Sequence, residues 1–136
     1  MNIGRFLLTA SAAIAALAAP AAAKPDYSGD IKADYDKSLG ALWDHFHRNP
    51  ELSFREFKTA ARMAQELRAI PGMVVTEKVG QTGVVGVLKN GDGPVVLVRA
   101  DMDGLPVQER SGYANASTVR QVGVDGLEMP VMHACG

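Results

Sequence analysis

The side chains with the clearest chemical potential lie near the end of the given sequence. Asp101 and Asp103 follow directly on the apolar run Val95–Val98, and Cys135 lies two residues after His133. Carboxylates are hard metal ligands and thiolates are soft ones, so the two stretches supply both kinds of donor. Residues two apart in an extended chain point the same way, which lets both carboxylates address one point. These residues indicate one part of a metal site.

Each candidate also has an interpretation that involves no metal. Asp103 followed by Gly104 is typical of a turn, and this glycine comes too early in the stretch for a calcium-binding loop. A single cysteine is most often a small buried hydrophobic residue. Cys135 is alternatively a nucleophilic thiol, if the fold places a histidine beside it. On its own, therefore, neither stretch is decisive.

Charge and cysteine content narrow the function classes. The 136 residues carry 14 basic and 15 acidic side chains and a net charge of −1. No basic cluster interrupts this balance, which argues against nucleic acid or an anionic membrane as a partner. Cys135 is the only cysteine, so the chain forms no internal disulfide. A small molecule or a peptide is the favoured partner.

The amino terminus predicts export. A basic residue, an apolar segment over residues 6–17 and the small residues Ala21–Ala23 form the pattern of a cleavable signal peptide. A retained membrane anchor is the weaker alternative, because polar residues and a proline interrupt a stretch made largely of alanine. We predict a signal peptide over residues 1–23, a linker over 24–30 and one domain over 31–136. The mature protein is expected to be periplasmic or secreted, without membrane contact.

The first predicted element of this domain is an amphipathic helix. Apolar residues recur at steps of three and four over residues 31–46, the spacing of one helical face. Pro50 disfavours helical geometry in the residue before it, so the helix is predicted to end by Asn49. His45 and His47 do not share a helical face and are expected at the surface or its boundary.

A second helix is predicted directly afterwards. Ser53 with Glu56 matches a capping box, and Leu52 with Phe57 occupies the positions of a hydrophobic staple. The second helix is therefore predicted to begin at Ser53. It is expected to end before Pro71, which completes a helical hairpin.

The pattern then changes from helical to extended. Three β-prone runs cover residues 74–79, 84–88 and 94–98, and Asn90–Gly93 is a strong turn signal between the last two. The second and third runs are therefore predicted to pair antiparallel. Val95–Val98 shows no polar alternation, which is typical of a strand covered on both faces. The predicted fold class is α/β, with the helical hairpin packed on the first strands of a mixed sheet.

Several stretches resemble one known family, in the family's order. They are residues 47–70 (HRNPELSFREFKTAARMAQELRAI), 80–90 (GQTGVVGVLKN), 99–109 (RADMDGLPVQE) and 132–136 (MHACG). The chain resembles the amidohydrolase branch of the two-metal aminoacylase/carboxypeptidase family. This branch includes hippurate hydrolases, N-acyl-amino-acid amidohydrolases and plant auxin-conjugate hydrolases. The last two stretches are highly specific, and the first two are supporting.

The resemblance implies a metal role for Cys135. In the family, the cysteine at this position binds or bridges two divalent ions, usually manganese or zinc, as a thiolate. Asp103 matches a carboxylate that orients a metal-binding histidine. Asp101 occupies the place that this histidine has in other branches. The resemblance therefore assigns both aspartates to the surroundings of the ligands and Cys135 to the ligands themselves.

The resemblance also implies a fold and a reaction. Residues 31–136 correspond to the amino-terminal part of a zinc-peptidase-like catalytic domain. The general base, a histidine two places after Cys135 and the other ligands are expected beyond Gly136, as is a smaller lid domain that often dimerises. The implied reaction is metal-assisted hydrolysis of the amide bond of an N-acyl amino acid or small peptide. These residues alone are expected to be inactive.

Two other functions stay open at this point. One is a non-catalytic exported module for binding or assembly, which keeps only the helices and the sheet. The other is a thiol enzyme with Cys135 as its nucleophile. Chelators separate the second from a metal enzyme, because a thiol nucleophile does not need a metal ion.

Overall fold

A computed structural model of the chain describes residues 25–135, so the predicted signal peptide over residues 1–23 lies outside the described residues. Helices are followed by two antiparallel pairs of strands, which confirms the predicted α/β class. No helix within residues 25–135 is long and apolar enough to cross a membrane. The elements are α1 (Ser28–Asp34), a π-helical segment (Tyr35–Leu39), α2 (Gly40–Arg48), α3 (Phe57–Arg68), β1 (Met73–Val79), β2 (Gly83–Leu88), β3 (Arg120–Val122) and β4 (Glu128–Pro130).

The first helical stretch runs through α1, the π-helical segment and α2 without a break. Its predicted end at Asn49 is confirmed, and the Asn49 side chain donates to the carbonyl of His45 (2.8 Å). Its start differs from prediction, because α1 begins at Ser28, inside the predicted linker 24–30. The carboxylate of Asp26 accepts a hydrogen bond from the Ser28 N–H (3.0 Å), which favours an earlier start.

Helix α3 begins at Phe57, so the predicted start at Ser53 is wrong. Leu52 belongs to a parallel β-bridge, which puts Ser53 in a turn rather than at a helix end. The cap comes instead from Glu51, whose carboxylate accepts a hydrogen bond from the Thr59 N–H (2.7 Å). A carboxylate at this end of a helix is stabilising, because it meets free N–H groups and the positive end of the dipole.

Strands β1 and β2 pair antiparallel, from Met73↔Leu88 at the open end to Val79↔Gly83 at the turn. Helix α3 packs on both strands. The predicted pairing of residues 84–88 with 94–98 is wrong, because residues 94–98 form no strand in the described part of the chain. The turn that forms lies over residues 80–82, where Gly80 and Gln81 both have positive φ. This hairpin forms because it packs against α3, and two strands need such a packed face to be stable. The turn signal at Asn90–Gly93 was equally strong in the sequence, but no packed hairpin forms around it among the described residues.

The second pair, β3 and β4, is joined by a turn in which Gly126 has a φ of 81°. Two isolated bridges, Leu52↔Gly104 and Leu105↔Met132, tie this hairpin region to the segment after α2. The buried apolar side chains lie at or beside these bridges and on α3. Within residues 25–135 they are Leu52, Ala64 and Val131.

Two apolar surfaces lie exposed. The segment 94–98 forms no strand, and its valines and leucine are almost fully exposed, so the predicted cover on both faces is wrong for the described residues. Its backbone has no hydrogen-bonding partner within residues 25–135, which explains the difference. The apolar face of the first helical stretch is exposed as well, at Ile31, Tyr35, Leu39 and Trp43.

Candidate metal centre

The second bridge brings the two candidate stretches together. Leu105 and Met132 exchange backbone hydrogen bonds of 2.8 and 3.1 Å. Asp103 lies two residues before Leu105, and Cys135 lies three residues after Met132. The bridge therefore brings together the two segments that carry the carboxylate and the thiol.

The two aspartates differ in their surroundings. Asp101 is exposed, and its carboxylate accepts from the guanidinium of Arg99 (2.5 Å). Asp103 is half-buried next to the second bridge. Cys135 is a free, exposed thiol. Asp103 is thus better placed than Asp101 to support a ligand.

His133 adds a donor that the sequence gave no reason to single out. Burial is the main cause that lowers the pKa of His133, and the charge of His47 lowers it further, against smaller opposing effects of Asp103. The ring is therefore neutral near pH 7, the form in which histidine binds metals. Its Nε2 atom is buried and has no hydrogen-bonding partner among the described residues.

This donor set fits one side of a metal centre. An exposed thiol, a half-buried carboxylate and an imidazole with a free nitrogen lie on neighbouring residues of bridged segments. Within residues 25–135, however, no group of three or more His, Cys, Asp or Glu side chains is arranged to hold a metal ion. Catalytic zinc sites use about three protein ligands. A complete centre would need ligands from outside the described residues.

A cavity of about 810 Å³ lies between α3, β2 and the segment 96–102. Most of its wall is apolar, and Asp101 and His133 are among its few polar lining residues. A mostly apolar cleft with a few polar groups is the usual character of a small-molecule site. Asp101 and His133 therefore border a space large enough for a small substrate.

Glu109 is a buried carboxylate that the sequence did not distinguish from a surface residue. Hydrogen bonds from Ser111 and from the Ser117 backbone hold the pKa of the Glu109 carboxyl below its ordinary value, with a smaller effect of His47. His47 lies at the boundary, as predicted, and its ring stacks on Trp43. The one signal for Glu109 was its place as the last residue of the specific stretch 99–109.

Comparisons with known proteins identify relatives of the chain. No protein-family model matches the chain. Hippurate hydrolase from Campylobacter jejuni is 40% identical over 108 residues, which cover 79% of this chain and 24% of that protein. Thermostable carboxypeptidase 2 from Saccharolobus solfataricus is 45% identical over 92 residues, 66% of this chain and 21% of that protein.

A solved structure has the same fold. It is the crystal structure of a dinuclear metal-binding peptidase from Bacillus subtilis, which matches with a TM-score of 0.60 and 32% identity. The match covers 76% of this chain and 27% of that one. The chain thus spans about a fifth to a quarter of the length of the relatives it matches.

The fold defines the class as an α/β domain similar to part of a dinuclear metal-binding peptidase. Within that class, the chain belongs to the amidohydrolase branch of the two-metal aminoacylase/carboxypeptidase family. The resemblance noted in the sequence is therefore confirmed. The roles of Asp101, Asp103 and Cys135 stay predictions.

Proposed function

We propose that the protein is a metal-dependent amidohydrolase that cleaves the amide bond of an N-acyl amino acid or a small peptide. The observation that supports this proposal is the bridge between Leu105 and Met132, which joins the segment that carries Asp103 to the segment that carries Cys135. The named activities of its relatives, a hippurate hydrolase and a carboxypeptidase, support the same reaction class.

In the proposed site, Cys135 binds metal as a thiolate. A bound cation favours this form, because it lowers the pKa of a thiol. Asp103 accepts the ring N–H of a ligand histidine and so fixes its tautomer, while Asp101 stays paired with Arg99. The ions, manganese or zinc, supply water activation and carbonyl polarisation when bound. The general base and the other ligands come from outside residues 25–135.

The proposal extends to assembly and location. The complete protein is exported through residues 1–23 and forms a homodimer through a lid domain, whereas residues 25–135 alone do not turn over substrate. Fractionation of cells, with the mass of the mature protein, tests export. Light scattering of the purified protein tests the dimer.

The central experiment assays the protein expressed from its complete gene. After removal of metal, added manganese or zinc is expected to restore hydrolysis of hippurate or N-acetyl amino acids. Cys135→Ala should lower kcat/KM by more than about 100-fold, since loss of a ligand exceeds the usual effect of residues that only orient ligands. Ser53→Ala is the matched control, because Ser53 is exposed and distant in sequence from the site residues.

Other outcomes contradict the proposal in distinct ways. Hydrolysis that survives chelation but is lost in Cys135→Ala would indicate a thiol nucleophile. Absence of hydrolysis with every metal would favour a binding or assembly module. Turnover by residues 25–135 alone would show that no further ligands are needed.

A further inference from the structure

The carboxylate of Glu109 is buried and fully engaged by hydrogen bonds. Its side chain is 1% exposed, and its oxygens accept from Ser111 Oγ (2.6 Å), the Ser117 N–H (2.5 Å) and His47 Nε2 (3.1 Å). A buried carboxylate destabilises a fold unless such donors surround it. An ionised carboxylate only accepts, so His47 carries a proton on Nε2. Glu109 thus joins the end of α2 to the loop 109–117.

A continuous path of hydrogen bonds leads from Glu109 toward Cys135. Ser117, whose N–H binds Glu109, donates its hydroxyl to the carbonyl of Val131 (2.7 Å). Val131 is buried, and the next residue, Met132, exchanges two backbone bonds across the second bridge. Within the described chain, these two residues are the last before Cys135 whose backbone is held by hydrogen bonds.

Two outer contacts attach the same loop to α2. Asn115 donates to the carboxylate of Asp44 (3.1 Å), and Arg48 donates to the carbonyl of Ala114 (3.3 Å). Contacts of this kind near the surface compete with water and contribute little to the stability of the fold. The buried bonds of Glu109 are the stronger attachment, because a low local dielectric strengthens them. Glu109 therefore dominates the position of the loop.

We infer that Glu109 is a positioning residue, which acts through Ser117 and Val131 to hold Cys135 where a metal ion needs its thiolate. The inference rests on the proposed function, because it requires Cys135 to bind metal. Ligands must be held to within about 0.5 Å of the productive geometry. Loss of residues that orient ligands commonly lowers metal affinity by about 10–100-fold.

The test uses the protein expressed from its complete gene, stripped of metal and titrated with cobalt(II). A thiolate bound to cobalt gives a charge-transfer absorption band, which Cys135→Ala should remove. We expect Glu109→Ala to weaken this band and to raise the cobalt dissociation constant by about 10–100-fold. Glu109→Gln keeps an acceptor for the Ser117 N–H and is expected to restore most of the band.

Three further variants separate positioning from a general loss of stability. Ser117→Ala removes the bond to Val131 and should weaken cobalt binding by about 5-fold. Ser111→Ala removes one donor to Glu109 but keeps the bond between Glu109 and Ser117, so it should weaken cobalt binding less than Glu109→Ala does. Glu128→Ala is a matched control, because Glu128 is an exposed carboxylate on β4 that pairs with Arg120.

Failure of the inference is distinguishable from failure of the proposed function. Absence of the thiolate band in the unsubstituted protein would overturn both. If that protein shows the band, and Glu109→Ala and Ser117→Ala keep it with unchanged dissociation constants, only the positioning role is overturned. If Glu109→Ala does not fold, as judged by circular dichroism, Ser117→Ala decides, and an unchanged band there overturns the inference.

Discussion

Val131 and Val95 are the same residue type, yet they are 1% and 98% exposed. The backbone N–H of Val131 donates to Val119 (3.0 Å), and its carbonyl accepts from Ser117 (2.7 Å). Within residues 25–135, the segment 94–98 has no comparable backbone partner. Burial in this chain therefore follows bonds between segments rather than apolar composition.

These two valines belong to two different regions of the molecule. The bare segment is residues 94–98. The junction is the set of residues linked through the two bridges and through Glu109, namely Glu51, Leu52, Gly104, Leu105, Glu109, Ser117, Val131 and Met132. Asp103 and His133 directly flank the junction in sequence, and Cys135 lies three positions after it, whereas two residues separate the bare segment from the next aspartate, Asp101.

The largest expected effect comes from a charge in the junction. Val131→Asp buries a carboxylate without a partner and should lower the free energy of unfolding by about 4 kcal/mol or more. Val122→Asp is the control, since Val122 is half-exposed on β3, and it should cost less than about 1 kcal/mol. Urea denaturation followed by circular dichroism measures both. Equal losses would mean that the junction does not organise the fold.

A smaller effect is expected from pH, because the junction contains an ionised carboxylate. Hydrogen bonds lower the pKa of Glu109 in the folded state, so its contribution is fully present above the unfolded pKa, about 4.3. The contribution is lost as the pH falls from that value through the lowered folded pKa. Melting temperatures across this range should fall less steeply in Glu109→Gln than in the unsubstituted protein, and Glu128→Gln should leave the slope unchanged. Identical slopes in all three proteins would contradict the assignment.

The smallest effect on stability is expected in the bare segment. In a polypeptide of residues 25–135, Val96→Lys should change the free energy of unfolding by less than about 0.5 kcal/mol, because the side chain already faces solvent. The same change should reduce aggregation, since a charged residue blocks strand addition at an unpaired apolar edge. Urea denaturation and light scattering measure the two quantities. A large loss of stability would show that the segment is covered.

Features fixed by local chemistry were predictable from the sequence. The first helical stretch ends at Asn49 because Pro50 restricts its neighbour. The start of α3 was not predictable, because the residue that caps it is Glu51. The side chain of Glu51 reaches the helix across the turn at residues 53–54. The pairing of β1 with β2 was missed for a similar reason. A turn signal marks where a chain can reverse, but packing under α3 decides which reversal forms.

The candidate site likewise has features that the sequence predicted and features that it could not predict. Its donor types were visible in the sequence, and the family resemblance supplied their roles. The approach of the Asp103 segment to the Cys135 segment depends on the bridge between Leu105 and Met132, which spacing along the chain does not encode. Glu109 and the free Nε2 of His133 depend on burial, which appears only when three segments have come together.

Trp43 is the only tryptophan of the given sequence, and its ring lies 5.2 Å from that of His47 at an angle of 14°. His47 in turn contacts Glu109. An imidazole in stacking distance alters the fluorescence of an indole, so a change at Glu109 that moves the His47 ring also changes the emission of this single tryptophan. The fold therefore contains its own optical probe, one ring away from the buried carboxylate that joins α2 to the loop 109–117.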